Sequence, residues 1–387
     1  MKQHSRNGNL FGRTVACIFA ISLILFSCQK NIDRTAAGSE IAGVVKDPKS
    51  LKDFEQVNLV ANNDEYGAAH VNPNLLNAWG IAFNGNGAVA WVNAQEGHDS
   101  HLYNQEGIQN AGRPFVNIPS PVTATGGNPT GIVLANIANQ FTIPPGPNTT
   151  STTPAAATFI FVGVDGVLSA WNGTYTTNAF RVFAHAGSAY TGLAIGSNAG
   201  NNFIYLANFA TGHIEVYNKD WTAVSMSFAD PDLPAGYSPF NIQNVGGKLY
   251  IMYAKVDPVE HEEEVGPGNG YVDIYNTDGS LVKRFVSRGQ LNAPWGVAMA
   301  PAGFWGDGSD IQNVILVGNF GDGHINAFNS DGAFLGQLRA HGNPIVIDGL
   351  WAIMFPPGTT NTNRLYFAAG PDDEKDGLFG YIKKSTE

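Results

Sequence analysis

Histidines, carboxylates and amides recur in a handful of short polar segments. These are Gln95-Glu96-Gly97-His98-Asp99-Ser100-His101, Asn208 to His213, Lys255 to Asn269 with His261, Asn319 to His324, and Pro371 to Asp376. Imidazole and carboxylate together suit several divalent ions, so His98, His213 and His324 with Asp99 are the candidate metal ligands, and Ca, Zn or Mg the cofactor such a set would take. His261 and Lys255 are the candidate catalytic pair, one for proton transfer and one to stabilise developing negative charge. No two of these residues have a diagnostic ligand spacing. Asp307-Gly308-Ser309-Asp310 and Asp322-Gly323 fall short of a calcium loop. The chain has no GxSxG elbow, P-loop or HExxH helix. Its two cysteines, Cys17 and Cys28, leave no thiol in the body of the fold, so hydrolysis would need a metal-activated water or a His/carboxylate pair.

The same segments have a plainer structural reading. Asn208-Phe209-Ala210-Thr211-Gly212-His213 and Asn319-Phe320-Gly321-Asp322-Gly323-His324 are near-copies, and their amides and imidazoles can satisfy loop backbone. His261-Glu262-Glu263-Glu264 reads as a solvated charge run. Asn208, Asn319 and Asp348, with Trp79 and Trp351, are the candidate ligand contacts. For the tryptophans, wedging between neighbouring units is the competing role.

What must hold these segments is a repeated unit. Residues 291–338 contain four short strands in series: Pro294 to Ala298, Asn313 to Val317, His324 to Phe328, and Phe334 to Leu338. Four antiparallel strands of this kind make one blade of a β-propeller. The first-strand pattern recurs at Asn77-Ala78-Trp79-Gly80-Ile81-Ala82, Asn128 to Val133, Tyr190 to Ile195, Ser238 to Ile242, Pro294 to Ala298, and Asp348 to Ile353. From Gly80 through Gly131, Gly192, Asn241 and Gly296 to Trp351, the steps are 51, 61, 49, 55 and 55 residues. The fold class is therefore all-β, a six-bladed β-propeller. The last blade runs out at Gly380-Tyr381-Ile382, and Glu55 to Val60 is an orphan strand that closes the ring as its outer member. Small residues in the first strands fit a crowded axis. Propeller connectivity puts all the polar segments above on one face, around one axial mouth. Residues 139–156 read as a disordered surface loop and 255–270 as a charged insertion.

Composition agrees with a turn-rich β fold: 46 Gly, 21 Pro and only 14% charged residues in 387. Lys2, Arg6 and Arg13 precede an apolar run, Thr14 to Phe26, too short for a transmembrane helix and read as an export signal. It ends in Leu25-Phe26-Ser27-Cys28. The division is residues 1–27 as signal peptide, 28–53 as a flexible tether after the lipidated Cys28, and 54–387 as propeller. Removal of residues 1–27 leaves 18 Lys and Arg against 32 Asp and Glu, a net charge of −14. An acidic body argues against nucleic acid as a partner.

Leu25-Phe26-Ser27-Cys28 resembles the lipobox of bacterial lipoproteins, which implies cleavage before Cys28 and its acylation. With Asn77 to Ala82, Ala293 to Ala298, Gly266 to Asp273 and Tyr253-Ala254-Lys255, the chain resembles a family of exported bacterial six-bladed propellers over most of residues 55–382. That family is related in fold to the NHL-repeat and gluconolactonase-like groups. The resemblance implies an outer-membrane lipoprotein, periplasmic or surface-facing, bound to the membrane by its lipid alone. The expected function is a cell-envelope scaffold whose loop-rich axial face binds a small molecule, glycan or envelope protein. The alternative is a metal-dependent hydrolase or lactonase in the same mouth.

Overall fold

The computed structural model describes residues 51–306, 312–358 and 361–385. The leader, Cys28, most of the tether and Asp307 to Asp310 lie outside the described residues. Among the described residues no helix is long and apolar enough to cross a membrane. The short apolar runs between Gly, Pro and Asn turns form strands, and the strands form six sheets in a ring. Blade 1 is Ala78–Phe83, Val89–Ala94, Asp99–Asn104 and Phe115–Asn117; blade 2 is Pro129–Leu134, Phe159–Gly163, Val167–Trp171 and Phe180–Ala184. Blade 3 has three strands, Tyr190–Asn198, Asn201–Asn208 and His213–Asn218. Blade 4 is Tyr237–Val245, Lys248–Lys255, Gly270–Tyr275 and Leu281–Ser287, and blade 5 is Pro294–Met299, Ile315–Asn319, Ile325–Phe328 and Phe334–Gln337. Blade 6 is Leu350–Met354, Leu365–Ala369 and Leu378–Lys384, and Phe54–Ala61 pairs antiparallel with its third strand. The orphan strand thus closes the ring. Apolar residues on both faces of the middle strands pack between blades, and the core is a series of inter-blade layers rather than one centre.

One feature repeats in all six blades. At the start of each inner strand the ladder slips, at Ala78/Ile81, between Pro129 and Ile132, at Tyr190/Gly192, Pro239/Asn241, Pro294/Val297 and Leu350/Ile353. A β-bulge at this point re-aims the side chain it carries. The bulged residues are Trp79, Thr130, Thr191, Phe240, Trp295 and Trp351. By this register Ala352, not Trp351, is the sixth-blade equivalent of Gly80 and Gly296. The small residue beside the bulge is needed where inner strands come closest. A Cβ on Gly80 would lie 2.2 Å from the Thr130 carbonyl oxygen, and one on Gly131 would lie 2.6 Å from the Leu193 nitrogen.

The segment 139–156 is not the disordered loop its composition suggests. Thr142–Ile143 pairs with Ala155–Ala156, and Phe141 and Ile143 are buried in the layer between blades 2 and 3. Two apolar anchors outweigh the Pro/Thr-rich remainder.

Candidate functional site

The four aromatic side chains at the bulges meet on the axis. Trp351 lies between Trp79, stacked at 3.6 Å between ring centroids, and Phe320, stacked at 4.0 Å. Trp295 stands edge-on to both indoles at 6.5 and 6.0 Å, and Phe240 lies 5.7 Å from Trp351. Phe209 packs on Phe240. The indole N–H of Trp351 donates to Asn77 Oδ1 at 2.9 Å, and that of Trp295 to the Thr191 carbonyl at 3.1 Å. Trp79 and Trp351 are 5% and 1% exposed, and they close the axis as a plug.

The plug separates two unlike chambers. Below it, the carboxy-terminal halves of the inner strands surround a cavity of about 440 Å³. Ile81, Ile132, Ile195, Val297 and Ile353 line its wall, Trp295 its floor, and Met299, Met354 and Phe355 its rim. Among the described residues no ionisable side chain lines it. Two of its three amide NH₂ groups are already engaged: Asn241 Nδ2 donates to the Trp295 carbonyl at 2.8 Å, and Asn244 Nδ2 to the Ile195 carbonyl at 2.9 Å. Gln243 accepts from the Val297 N–H at 3.3 Å through Oε1, which leaves its NH₂ as the donor without a partner among the described residues.

Above the plug the axial mouth is acidic. Asn77 Nδ2 donates to Glu374 Oε2 at 2.6 Å and to Gln95 Oε1 at 3.0 Å. Burial raises the Glu374 carboxyl, and the charges of Glu262, Glu96 and Asp373 add to the effect. Half-buried Glu263, from the blade 4 insertion, is pushed up to about 8, first by burial and then by Glu374 and Glu262. The charge run is therefore not wholly solvated. Its middle residue turns toward the axis.

The residues singled out from the sequence do share this face, and the structure does not bring them together. His98 is exposed, with Nδ1 3.0 Å from the Gly127 carbonyl. Asp99 is buried against His101 at 3.0 Å, and burial raises its carboxyl. His213 is exposed, and His324 Nδ1 faces Asp322 Oδ1 at 3.1 Å. Asn208 donates to Glu215 Oε1 at 2.7 Å and accepts from the Thr211 N–H at 3.3 Å, and Asn319 donates to the Gln290 carbonyl at 2.7 Å. Lys255 pairs with Glu264 Oε1 at 2.6 Å, His261 is exposed, and Asp348 accepts from the Asp372 N–H at 3.2 Å. Among the described residues no three His, Cys, Asp or Glu side chains are grouped to hold a metal ion. Geometry explains why His98, Asp99, His213 and His324 stay apart. They sit at the start of third strands, two strand spacings or about 10 Å outward from the inner strand. Sequence reading missed Glu263, Glu374 and Gln243. The one available signal was the aromatic before the small first-strand residue in blades 1, 5 and 6, which marks the axis.

No family model matches the chain. It is 35% identical over 343 residues to uncharacterized protein L690 of Acanthamoeba polyphaga mimivirus, covering 85% of this chain and 86% of that one. It is 32% identical over 339 residues to uncharacterized protein R648 of the same virus, covering 85% and 80%. Both relatives are viral, where the sequence resemblance pointed to exported bacterial proteins. Virginiamycin B lyase from Staphylococcus aureus aligns at a TM-score of 0.47 and 14% identity, covering 85% of this chain and 98% of that one. The Neurospora crassa Pan2 WD40 domain aligns at 0.45 and 11%, covering 87% and 96%.

Proposed function

The chain belongs to the family of the mimivirus proteins L690 and R648, and from that premise we propose that it is a ligand-binding propeller that holds a neutral, largely apolar small molecule in the axial cavity. The observation that carries this reading is a cavity of about 440 Å³ with no ionisable side chain in its lining among the described residues, closed at one end by the aromatic plug. That volume is in the range of small-molecule pockets, and the cost of burying an unpaired charge there selects against ions. The Gln243 amide offers one hydrogen bond to orient the guest. The binding face is thus opposite the loop-rich one.

The test is a panel of uncharged apolar compounds titrated against residues 51–387, with indole fluorescence as the readout because Trp295 floors the cavity. Saturable quenching is expected, and Met299→Trp with Met354→Trp at the half-open rim removes it while thermal unfolding stays unchanged. Absence of binding, together with metal-dependent turnover of a lactone or ester, overturns the reading in favour of hydrolysis in the acidic mouth.

We propose a location as well. Leu25-Phe26-Ser27-Cys28 supports an acylated Cys28 and an outer-membrane lipoprotein, with a small molecule, glycan or envelope protein as partner. Metabolic labelling with a tagged fatty acid, lost in Cys28→Ser, tests it; an unlabelled, soluble wild-type chain rejects it.

A further inference from the structure

Blade 3 stops at three strands, and the chain leaves the sheet soon after the third. Beyond the Asn218 turn the chain folds back, and Tyr217 bridges Ala223. Asn218 N–H donates to the Thr222 carbonyl at 2.9 Å and Val224 N–H to the Val216 carbonyl at 2.8 Å, and there the pairing ends. In an antiparallel ladder every second residue points its N–H and C=O to the same side, so outward bonds at Asn218 and Val216 make Ile214 the next outward residue. Among the described residues the Ile214 N–H and C=O and the Val216 N–H have no outward partner. Between that bare edge and the departing chain lies a cavity of about 390 Å³, lined by His213 and Ile214 on one side and Phe228, Pro231 and Leu233 on the other. Asp230 also lines it, with its side chain 3% exposed. Arg284 pairs with Asp230 and with fully buried Asp273, two carboxylates against one guanidinium.

We propose that this edge takes an added strand: an extended segment of a partner protein that carries a basic side chain. The bare backbone groups select an extended main chain, because only another backbone offers a donor and an acceptor at ladder spacing. The apolar wall takes one side chain of that segment. The acidic balance of the chain, with Asp230 in the lining, favours lysine or arginine at a neighbouring position. The site is on the outer part of blades 3 and 4 and is independent of the axial cavity.

The test uses a fluorescein-labelled, end-capped Lys-Thr-Val-Thr-Lys-Val peptide and its backbone N-methylated counterpart, with fluorescence polarisation on residues 51–387 as the readout. Saturable binding is expected for the first and at least tenfold weaker binding for the second. Ile214→Pro removes one outward N–H and no ladder bond, so it weakens binding at least tenfold while the circular dichroism spectrum is kept. Amide exchange adds a readout that needs no variant: the Ile214 N–H exchanges fast in the free protein and slows with peptide. Equal binding of the N-methylated peptide, no binding at millimolar peptide, a protected Ile214 amide in the free monomer, or dimerisation through this edge each overturns the proposal.

Discussion

At one end of the propeller axis Glu263 and Glu374 stand in each other's field, with Asn77 holding Glu374 against the plug. At the other end the same inner strands enclose a cavity that no ionisable group lines among the described residues. The strands that build both ends are continuous, so the difference comes from what each end attaches to them. The acidic end receives long polar loops from second to third strands, and the apolar end exposes the strands' own Ile, Val and Met. Six bulges set the boundary, and four of them carry the aromatic rings that meet on the axis. A propeller axis is thus two sites back to back, and the richer display of titratable residues does not mark the better cavity.

Removing the boundary is expected to have the largest effect. Trp351→Ala deletes two stacks and the bond to Asn77, and is expected to cost about 3–5 kcal/mol by urea unfolding. It also joins the chambers, so that guest binding in the apolar cavity becomes pH-dependent. Wild-type stability and pH-independent binding in this variant would show that the plug does not insulate the two ends. Crowding the inner strands tests the level below: Gly131→Ala places a Cβ 2.6 Å from the Leu193 nitrogen and is expected to cost about 2 kcal/mol in the same assay.

Glu263→Gln isolates the field of the acidic end. Glu263 titrates near 8 in the fold, above its ordinary 4.5, so between those values the folded chain keeps a proton that the unfolded chain has released. The wild type therefore loses stability as pH rises from about 4.5 to 8, and the neutral variant does not. Because Glu263 is half-exposed, the gap is expected to be on the order of 1 kcal/mol at pH 8 and near zero at pH 4. A constant gap across that range would place Glu263 in free solvent. The smallest effect belongs to the outlying imidazoles. His213→Ala with His324→Ala should shift stability by no more than about 0.5 kcal/mol each. A larger loss, with release of a stoichiometric divalent metal detected by elemental analysis, would restore a metal centre to the acidic face.

The chain's own pattern determined the architecture. First-strand signatures from Asn77 to Ile353 gave the six blades, and the orphan Glu55 to Val60 gave the closure, because alternation and turn chemistry are local and repeat with the blade. The same pattern assigned each loop to a face. Tertiary structure alone decided which of those loop residues reach the axis. His98, His213 and His324 stay out at the third strands, while Glu263 and Glu374 converge from blades 4 and 6. That outcome depends on radial distance, which sequence spacing does not encode. The aromatic plug was half legible: Trp79 and Trp351 stood out as wedges, but the slip that aims them inward, and aligns Ala352 with Gly80, is a register event between strands. Gln243 and the bare edge at Ile214 left no mark at all. A free donor exists only once every neighbouring bond has been counted, and those neighbours are chosen by packing.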